Sequence, residues 1–406
     1  MDERRLRIVM IGPFGLSPKG TMRSRALPLA REMSARGHEV TLLMPPWHTP
    51  EAAPRVWQED GVRLEYLSLG PRLPLLGHLA TTLRLIRRAL ASRPDIVHCF
   101  KPKAYSGLSG WALWHLSRWK LTRTRLVIDE DDWEGTGGWN EIEPYPRALR
   151  ALFARQERWG LRHAHAVTVA SQTLQSIVWS LGVPPDKVHY LPNGGIPPAG
   201  EEAGETGDAV RRMYNLGDDP VILLYTRFFE FDVERVMAVY RLVLQALLSA
   251  RLLVVGRALF PQDEVRLERL IAEENLEGRV VRAGWVYEED LPAHLAAADI
   301  ALYPMDDTLI NRTKCPVKLV DLLGNGVPVV ADAVGQAVEY VIHGETGLLT
   351  APGDVEAMAN AAIQLLRDAA LRDRLGRAAR RQIRERYAWP ILAERLLHLY
   401  RALSPK

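Results

Sequence analysis

Short apolar runs alternate along this chain with longer segments whose apolar residues recur every three or four positions. The runs Leu6 to Ile11, Glu39 to Met44, Arg63 to Leu69, Asp95 to Cys99, Arg125 to Asp129, Ala166 to Ala170 and Val188 to Leu191 read as strands. Met22 to Arg36, Leu75 to Ala91 and Tyr105 to Ser117 carry helical spacing between them. Such alternation predicts a parallel sheet covered by helices. At Pro192 to Asp208, PNGGIPPAGEEAGETGD, the periodicity stops and Pro, Gly and Glu dominate, a linker composition. The pattern restarts with Val221 to Tyr225, Arg251 to Val255, Val280 to Ala283, Ile300 to Tyr303 and Val327 to Ala331. It ends in helices over Val355 to Arg367, Ala370 to Arg386 and Pro390 to Leu403. The expectation is an α/β protein with two doubly wound parallel-sheet domains facing a cleft, residues 1–195 and 208–387, joined by a linker at 196–207. The last helix, within 388–406, is positioned to cross back onto the first domain.

The stretch NRTKCPVKLVDLLGNGVPVV, Asn311 to Val330, departs from simple apolar patterning. Pro316 suits a first helical position, and Gly324 to Gly326 ends the helix before a buried strand. At helical spacing Lys314, Lys318, Asp321 and Asn325 fall on one face, while Val317, Leu319, Val320, Leu322 and Leu323 cover the rest. The stripe has two readings. One is an internal Lys318 to Asp321 pair on a solvated edge, which is weak because Lys before Asp opposes the helix dipole. The other is an anion in front of the helix, where Lys318 and first-turn N–H groups converge on it.

With 406 residues, 47% of them hydrophobic and 25% charged, the chain can build two ordinary cores. Its 52 basic and 49 acidic side chains leave a formal charge of +3, which does not point to nucleic acid. Cys99 and Cys315 have no metal-ligand spacing, and a reducing cytoplasm is the simplest setting. The apolar run Ile8 to Ile11 is too short for a signal-peptide core or a membrane span. Leu73 to Leu90 mixes leucines with Arg84, Arg87 and Arg88, a basic amphipathic pattern. In WALWHLSRWK, Trp111 to Lys120, the spacing of Leu108, Trp111 and Trp114 favours core packing over a membrane interface. Peripheral contact with the inner face of a membrane stays open.

Doubly wound domains often bind NAD, yet IGPFGLSPKG after the first strand lacks the G-x-G-x-x-G spacing and no acid ends the second. No Walker lysine motif, H-E-x-x-H or G-x-S-x-G occurs. The acidic segment IDEDDWEGTGGWNE, Ile128 to Glu141, follows a strand and belongs at a ligand-binding edge. It reads as a solvated loop or as a magnesium site on Asp129, Asp131 and Asp132.

The stretch KCPVKLVDLLGNGVPVVADAVGQAVEYVIHGETGLLTAPGD strongly resembles the donor-binding signature of retaining glycosyltransferases of the family-4 type, glycosyl transferases group 1. MSARGHEVTLL, DIVH, YLPNG and YAWP match the same family in order and spacing. The resemblance implies the GT-B fold, two Rossmann-like domains, with a nucleotide-diphosphate sugar held mainly by the second domain and the acceptor by the first. Arg227 resembles the family's phosphate-directed arginine, and a guanidinium suits bidentate phosphate contact. The companion lysine is absent from FFEFDVERV, and Lys318, or Lys314, is left to supply its charge.

The family signature carries two glutamates separated by seven residues. Asp321 stands at the second, the ribose position, and Thr313 at the first. Gly20 matches the first-domain glycine loop, Gly284 and Val286 lie in the segment bordering the base, and Glu339 matches an acid beside the donor. Many members place a histidine where Asp131 and Asp132 stand, which assigns these two to sugar or acceptor hydroxyls. The resemblance implies no cofactor and no metal. Its acceptor is a glycan, a lipid-linked group or a small molecule. Two other readings use the same cleft: a sugar-nucleotide epimerase, and a binding protein without turnover.

Overall fold

The computed structural model describes residues 4–71, 73, 76–195 and 203–404. Contacts divide the chain into two units. The first comprises 1–193, 313–315 and 389–406, and the second 194–312 and 316–388.

Each unit is built on one sheet. The first holds eight strands: β1 Arg7–Ile11, β2 Glu39–Met44, β3 Arg55–Glu59, β4 Val62–Tyr66, β5 Ile96–Phe100, β6 Arg125–Glu130, β7 Ala166–Val169 and β8 Val188–Tyr190. Their order is β3-β4-β2-β1-β5-β6-β7-β8, and neighbours run parallel except β3 with β4. The central strands are apolar almost throughout because helices bury both faces, as Ile8, Met10 and Ile96 illustrate. β3 escapes the apolar pattern because it is a half-exposed edge strand. Its turn onto β4 is legible after the fact in Asp60-Gly61, both with positive φ, +48° and +79°, the conformation that two-residue hairpin turns require.

The second sheet holds β9 Val221–Tyr225, β10 Arg251–Val255, β11 Val280–Gly284, β12 Ile300–Tyr303, β13 Val329–Asp332 and β14 Leu348–Thr350. It is wholly parallel, in the order β11-β10-β9-β12-β13-β14. In both sheets the strand order reverses direction beside the first strand of the unit, β1 next to β5 and β9 next to β12. Crevices at such reversal points, beyond the carboxyl ends of the strands, are where open α/β sheets hold ligands.

Each unit has its own apolar core. The first enlists the last helix, Trp389–Leu403, through Trp389, Leu392, Leu396 and Leu397 packed with Leu6, Met22 and Met33. The second gathers Ile222, Leu224, Val236, Tyr240, Leu252 and Met358. Several local expectations need correction. Residues 196–202 of the expected linker lie outside the described residues, and its remainder falls in the helix Ala203–Met213. Leu75, the expected start of a helix, is also outside them; that helix is described from Leu76 to Ala91. Trp111 is not core: it is 49% exposed on the helix Ala104–Arg118, because that helix buries Leu113, Ser106 and Ser109 instead.

Candidate functional site

The stripe of the second unit lies on the helix Val317–Gly324. Pro316 precedes the helix in extended geometry rather than opening it, so Lys314 lies outside the helix and does not share the face of Lys318. Leu319, Val320, Leu322 and Leu323 are fully buried, which turns the half-buried Lys318, Asp321 and Asn325 to the other side. Gly326, at φ +74°, ends the helix in the left-handed conformation that favours glycine.

That helix lies between β12 and β13, and the carboxyl ends of β9 and β12 form the reversal point. Tyr225, Thr226, Glu230, Tyr303, Pro304 and Lys318 line a small recess there. The Lys318 ammonium stands 5.5 Å from the centroid of the Tyr225 ring, within cation–π range. Arg227 follows β9 by two residues, half-buried, and its carbonyl accepts the N–H of Leu259 at 2.9 Å. Burial drives the Asp321 carboxyl up to about 7; Lys318 opposes the shift and the like charge of Glu288 adds to it. The phenol of Tyr225 is pushed strongly upward by burial and by Asp321.

Gly284 ends β11 at φ +69°, with Arg257 Nε 4.0 Å from where a Cβ would stand, and Val286 follows it half-buried between exposed Trp285 and Tyr287. Glu339 is half-buried on the short helix Ala337–Tyr340, where its carbonyl accepts the Tyr387 hydroxyl at 3.2 Å. The turn before it needs its glycine: a Cβ on Gly335 would lie 2.7 Å from the Arg312 Cα.

Thr313 is placed elsewhere. It is wholly buried and groups with the first unit, where its carbonyl accepts the Ser171 hydroxyl at 2.7 Å. Gly20, exposed at the end of the loop after β1, has room for a side chain, the nearest atom being Ser24 Oγ at 3.6 Å. The crowded glycine of that loop is Gly12, whose Cβ would meet Met22 Sδ at 2.5 Å.

The acidic segment after β6 is not a solvated loop. Asp131 is 8% exposed, and its Oδ2 accepts the Thr21 hydroxyl at 2.7 Å. Lys101, just past β5, brings its ammonium to 2.7 Å from Asp132, 3.6 Å from Asp131 and 3.5 Å from Glu134. Lys103 pairs with Glu134 at 2.7 Å. Burial lifts the Asp131 carboxyl to about 6, Lys101 pulling against it and Asp132 pushing with it. Beneath, the fully buried Glu130 and Glu157 are both raised, Glu157 to about 8, by burial and neighbouring acids. Asp129 is committed to Arg25 through two hydrogen bonds of 2.7 Å. The magnesium reading therefore finds its carboxylates divided among cations, and among the described residues no group of three His, Cys, Asp or Glu is arranged to hold a metal ion.

Sequence reasoning missed Lys101, Lys103 and Arg25. The first two had a usable signal, since KPK directly follows the strand beside the reversal point. Arg25, inside an amphipathic helical pattern, had none.

A glycosyl transferase 4-like domain model matches residues 20–194, and a model of the glycosyl transferases group 1 matches residues 219–368. The chain is 25% identical to a phosphatidyl-myo-inositol mannosyltransferase of Mycobacterium leprae, covering 98% of this chain and 97% of that protein. It is 26% identical to a GDP-mannose-dependent alpha-(1-6)-phosphatidylinositol monomannoside mannosyltransferase of Mycolicibacterium smegmatis, covering 90% of each. Anabaena HepE in complex with UDP and glucose shares the fold, with TM-score 0.73, 18% identity, and coverage of 98% of this chain and 100% of that one. With a glycosyl transferase 4-like model matched over residues 20–194, a group 1 model over residues 219–368 and relatives matched nearly end to end, the chain belongs to the group 1 glycosyltransferases and is a glycosyl-transferring enzyme of the GT-B fold.

Proposed function

We propose that this enzyme transfers a sugar, with retention, from a nucleotide-diphosphate donor to an acceptor hydroxyl. The observation that carries the reading is Lys318 in the recess at the β9–β12 reversal point, with Arg227 two residues past the end of β9. Two fixed cations suit a diphosphate whose charge grows as the sugar departs, and stabilising charge that develops in the transition state is the largest single lever in catalysis. Asp321 takes ribose hydroxyls, and Gly284 and Val286 border the base. Glu339 lies beside the donor sugar. The name of one relative includes GDP-mannose and that of the structural neighbour includes UDP, both consistent with such a donor.

In the step itself the anomeric carbon loses its bond to the diphosphate oxygen and gains one to the acceptor oxygen on the same face. The departing phosphate takes the acceptor's proton. Asp131 and Asp132, held by Lys101, receive sugar or acceptor hydroxyls. No metal takes part in this scheme.

Incubation with uridine- and guanosine-diphosphate sugars tests it. Release of nucleoside diphosphate with the sugar transferred supports the proposal. An epimerised donor, or binding without change, would replace it with the epimerase or the binding protein.

The outward face of the helix Leu76–Ala91 indicates where the enzyme works. Leu76, Leu79 and Leu83 are each between 45% and 60% exposed, with exposed Arg87 beside them. The adjoining helix Ala104–Arg118 packs against it and adds exposed Trp111 and Arg118, followed by Trp119 and Lys120. Leucine and tryptophan with basic residues suit an anionic lipid surface. The proposed contact is peripheral; among the described residues no helix is long and apolar enough to cross a membrane.

A further inference from the structure

Arg25 is 1% exposed, and its guanidinium joins two segments of the first unit, Asp129 at the end of β6 and Leu191 to Asn193 just past β8. Nε and Nη2 bind Asp129, Nη2 also donates to the Leu191 carbonyl at 2.8 Å, and Nη1 donates to Asn193 Oδ1 at 3.1 Å. Asn193 passes the link on. Its Nδ2 donates to the Cys315 carbonyl at 2.9 Å, and its backbone N–H points to Cys315 Sγ at 3.1 Å.

On the other side of Asp129 the proton positions are determined. Thr168 has one hydroxyl proton and donates it to Asp129 Oδ2 at 2.6 Å. It must then accept from His98 Nε2 at 3.1 Å, so His98 carries its proton on Nε2. Nδ1 is left to accept the Tyr400 hydroxyl at 2.6 Å. Burial pushes His98 down to about 4, which keeps the ring neutral in this role. Two donor chains thus meet at Asp129, one from Tyr400 of the last helix through His98 and Thr168, the other from Arg25, which also donates toward Asn193 and so links on to Cys315.

A buried ion pair seldom stabilises more than apolar packing of the same volume would, so the role assigned to this one is geometric. The chain leaves the first unit at Asn193 and again at Cys315. After Cys315 come Pro316 and the helix Val317–Gly324, with Lys318 in its first turn and Asp321 one turn later.

We infer that Arg25 and Asn193 are positioning residues that hold the Cys315 backbone and thereby set where the helix bearing Lys318 and Asp321 begins. This rests on the donor-site reading of Lys318. Asn193→Asp is the selective variant: it keeps the acceptor for Arg25 and replaces the donor to Cys315 with an oxygen that repels its carbonyl. Release of nucleoside diphosphate from a UDP- or GDP-sugar is followed for Asn193→Asp, Lys318→Met and the double variant, after thermal melting verifies folding. The expected result is a drop in kcat of about tenfold for Asn193→Asp, the size of one lost hydrogen bond. In the double variant Asn193→Asp should add almost nothing to the loss from Lys318→Met, because residues acting through one group are not additive. Full turnover in folded Asn193→Asp, or losses that multiply, would overturn the positioning role and leave the donor site standing. A silent Lys318→Met would remove the donor-site reading itself, and the positioning role with it.

Discussion

The ammonium of Lys318 lies 5.5 Å from the ring centroid of Tyr225, at the carboxyl end of β9. The ring helps hold the ammonium at the site where the diphosphate is proposed to depart. Lys318→Met should lower kcat by about ten- to a hundredfold, the worth of a charge-assisted hydrogen bond, with little change in donor KM. Tyr225→Phe keeps the ring and should retain most of the turnover. Steady-state kinetics on one donor decides, and equal losses in the two variants would show that the phenol rather than the ring matters.

Asp321 makes two pH dependences. Its carboxyl titrates at about 7, so the ionised form, the better acceptor for ribose hydroxyls, is mostly absent at pH 6 and mostly present at pH 8. Donor affinity should therefore rise roughly tenfold across that interval, and the rise should vanish in Asp321→Asn. Stability runs the opposite way. A carboxyl raised in the folded state favours folding fully below its unfolded value, and that advantage is lost as pH climbs to about 7. Asp321→Asn should match the parent's melting temperature near pH 4 and exceed it above pH 7. A constant difference across that range would remove the assignment.

Asp132 shares the Lys101 ammonium with Asp131 and Glu134. If these carboxylates serve hydroxyls, transfer survives excess EDTA, and Asp132→Asn impairs transfer severalfold while nucleotide binding by calorimetry stays unchanged. Activity abolished by chelation and restored by magnesium or manganese would transfer the cluster to a metal role.

Leu79 and Leu83 are 60% and 45% exposed on one helix face. Leu79→Glu with Leu83→Glu should leave melting unchanged and abolish sedimentation with vesicles of anionic lipid, while the parent sediments and is released by salt. A parent that stays in solution with anionic vesicles would remove the membrane contact.

Alternation of short apolar runs with helical spacing determined two parallel sheets, because strand and helix periods are local and burial on both faces leaves strands apolar. Helical spacing likewise determined that Lys318 and Asp321 share a face turned away from Leu319, Leu322 and Leu323. Tertiary structure decided what those charges meet. Lys101 among three acids, Asp129 with Arg25, and Thr313 inside the first unit join residues distant in sequence, which no local period records. The exposure of Trp111 and the half-exposed edge strand β3 were likewise decided by which neighbours arrive. The proton affinities of Asp131 and Asp321 follow the same rule, since burial and a nearby charge set them and both belong to the folded chain alone.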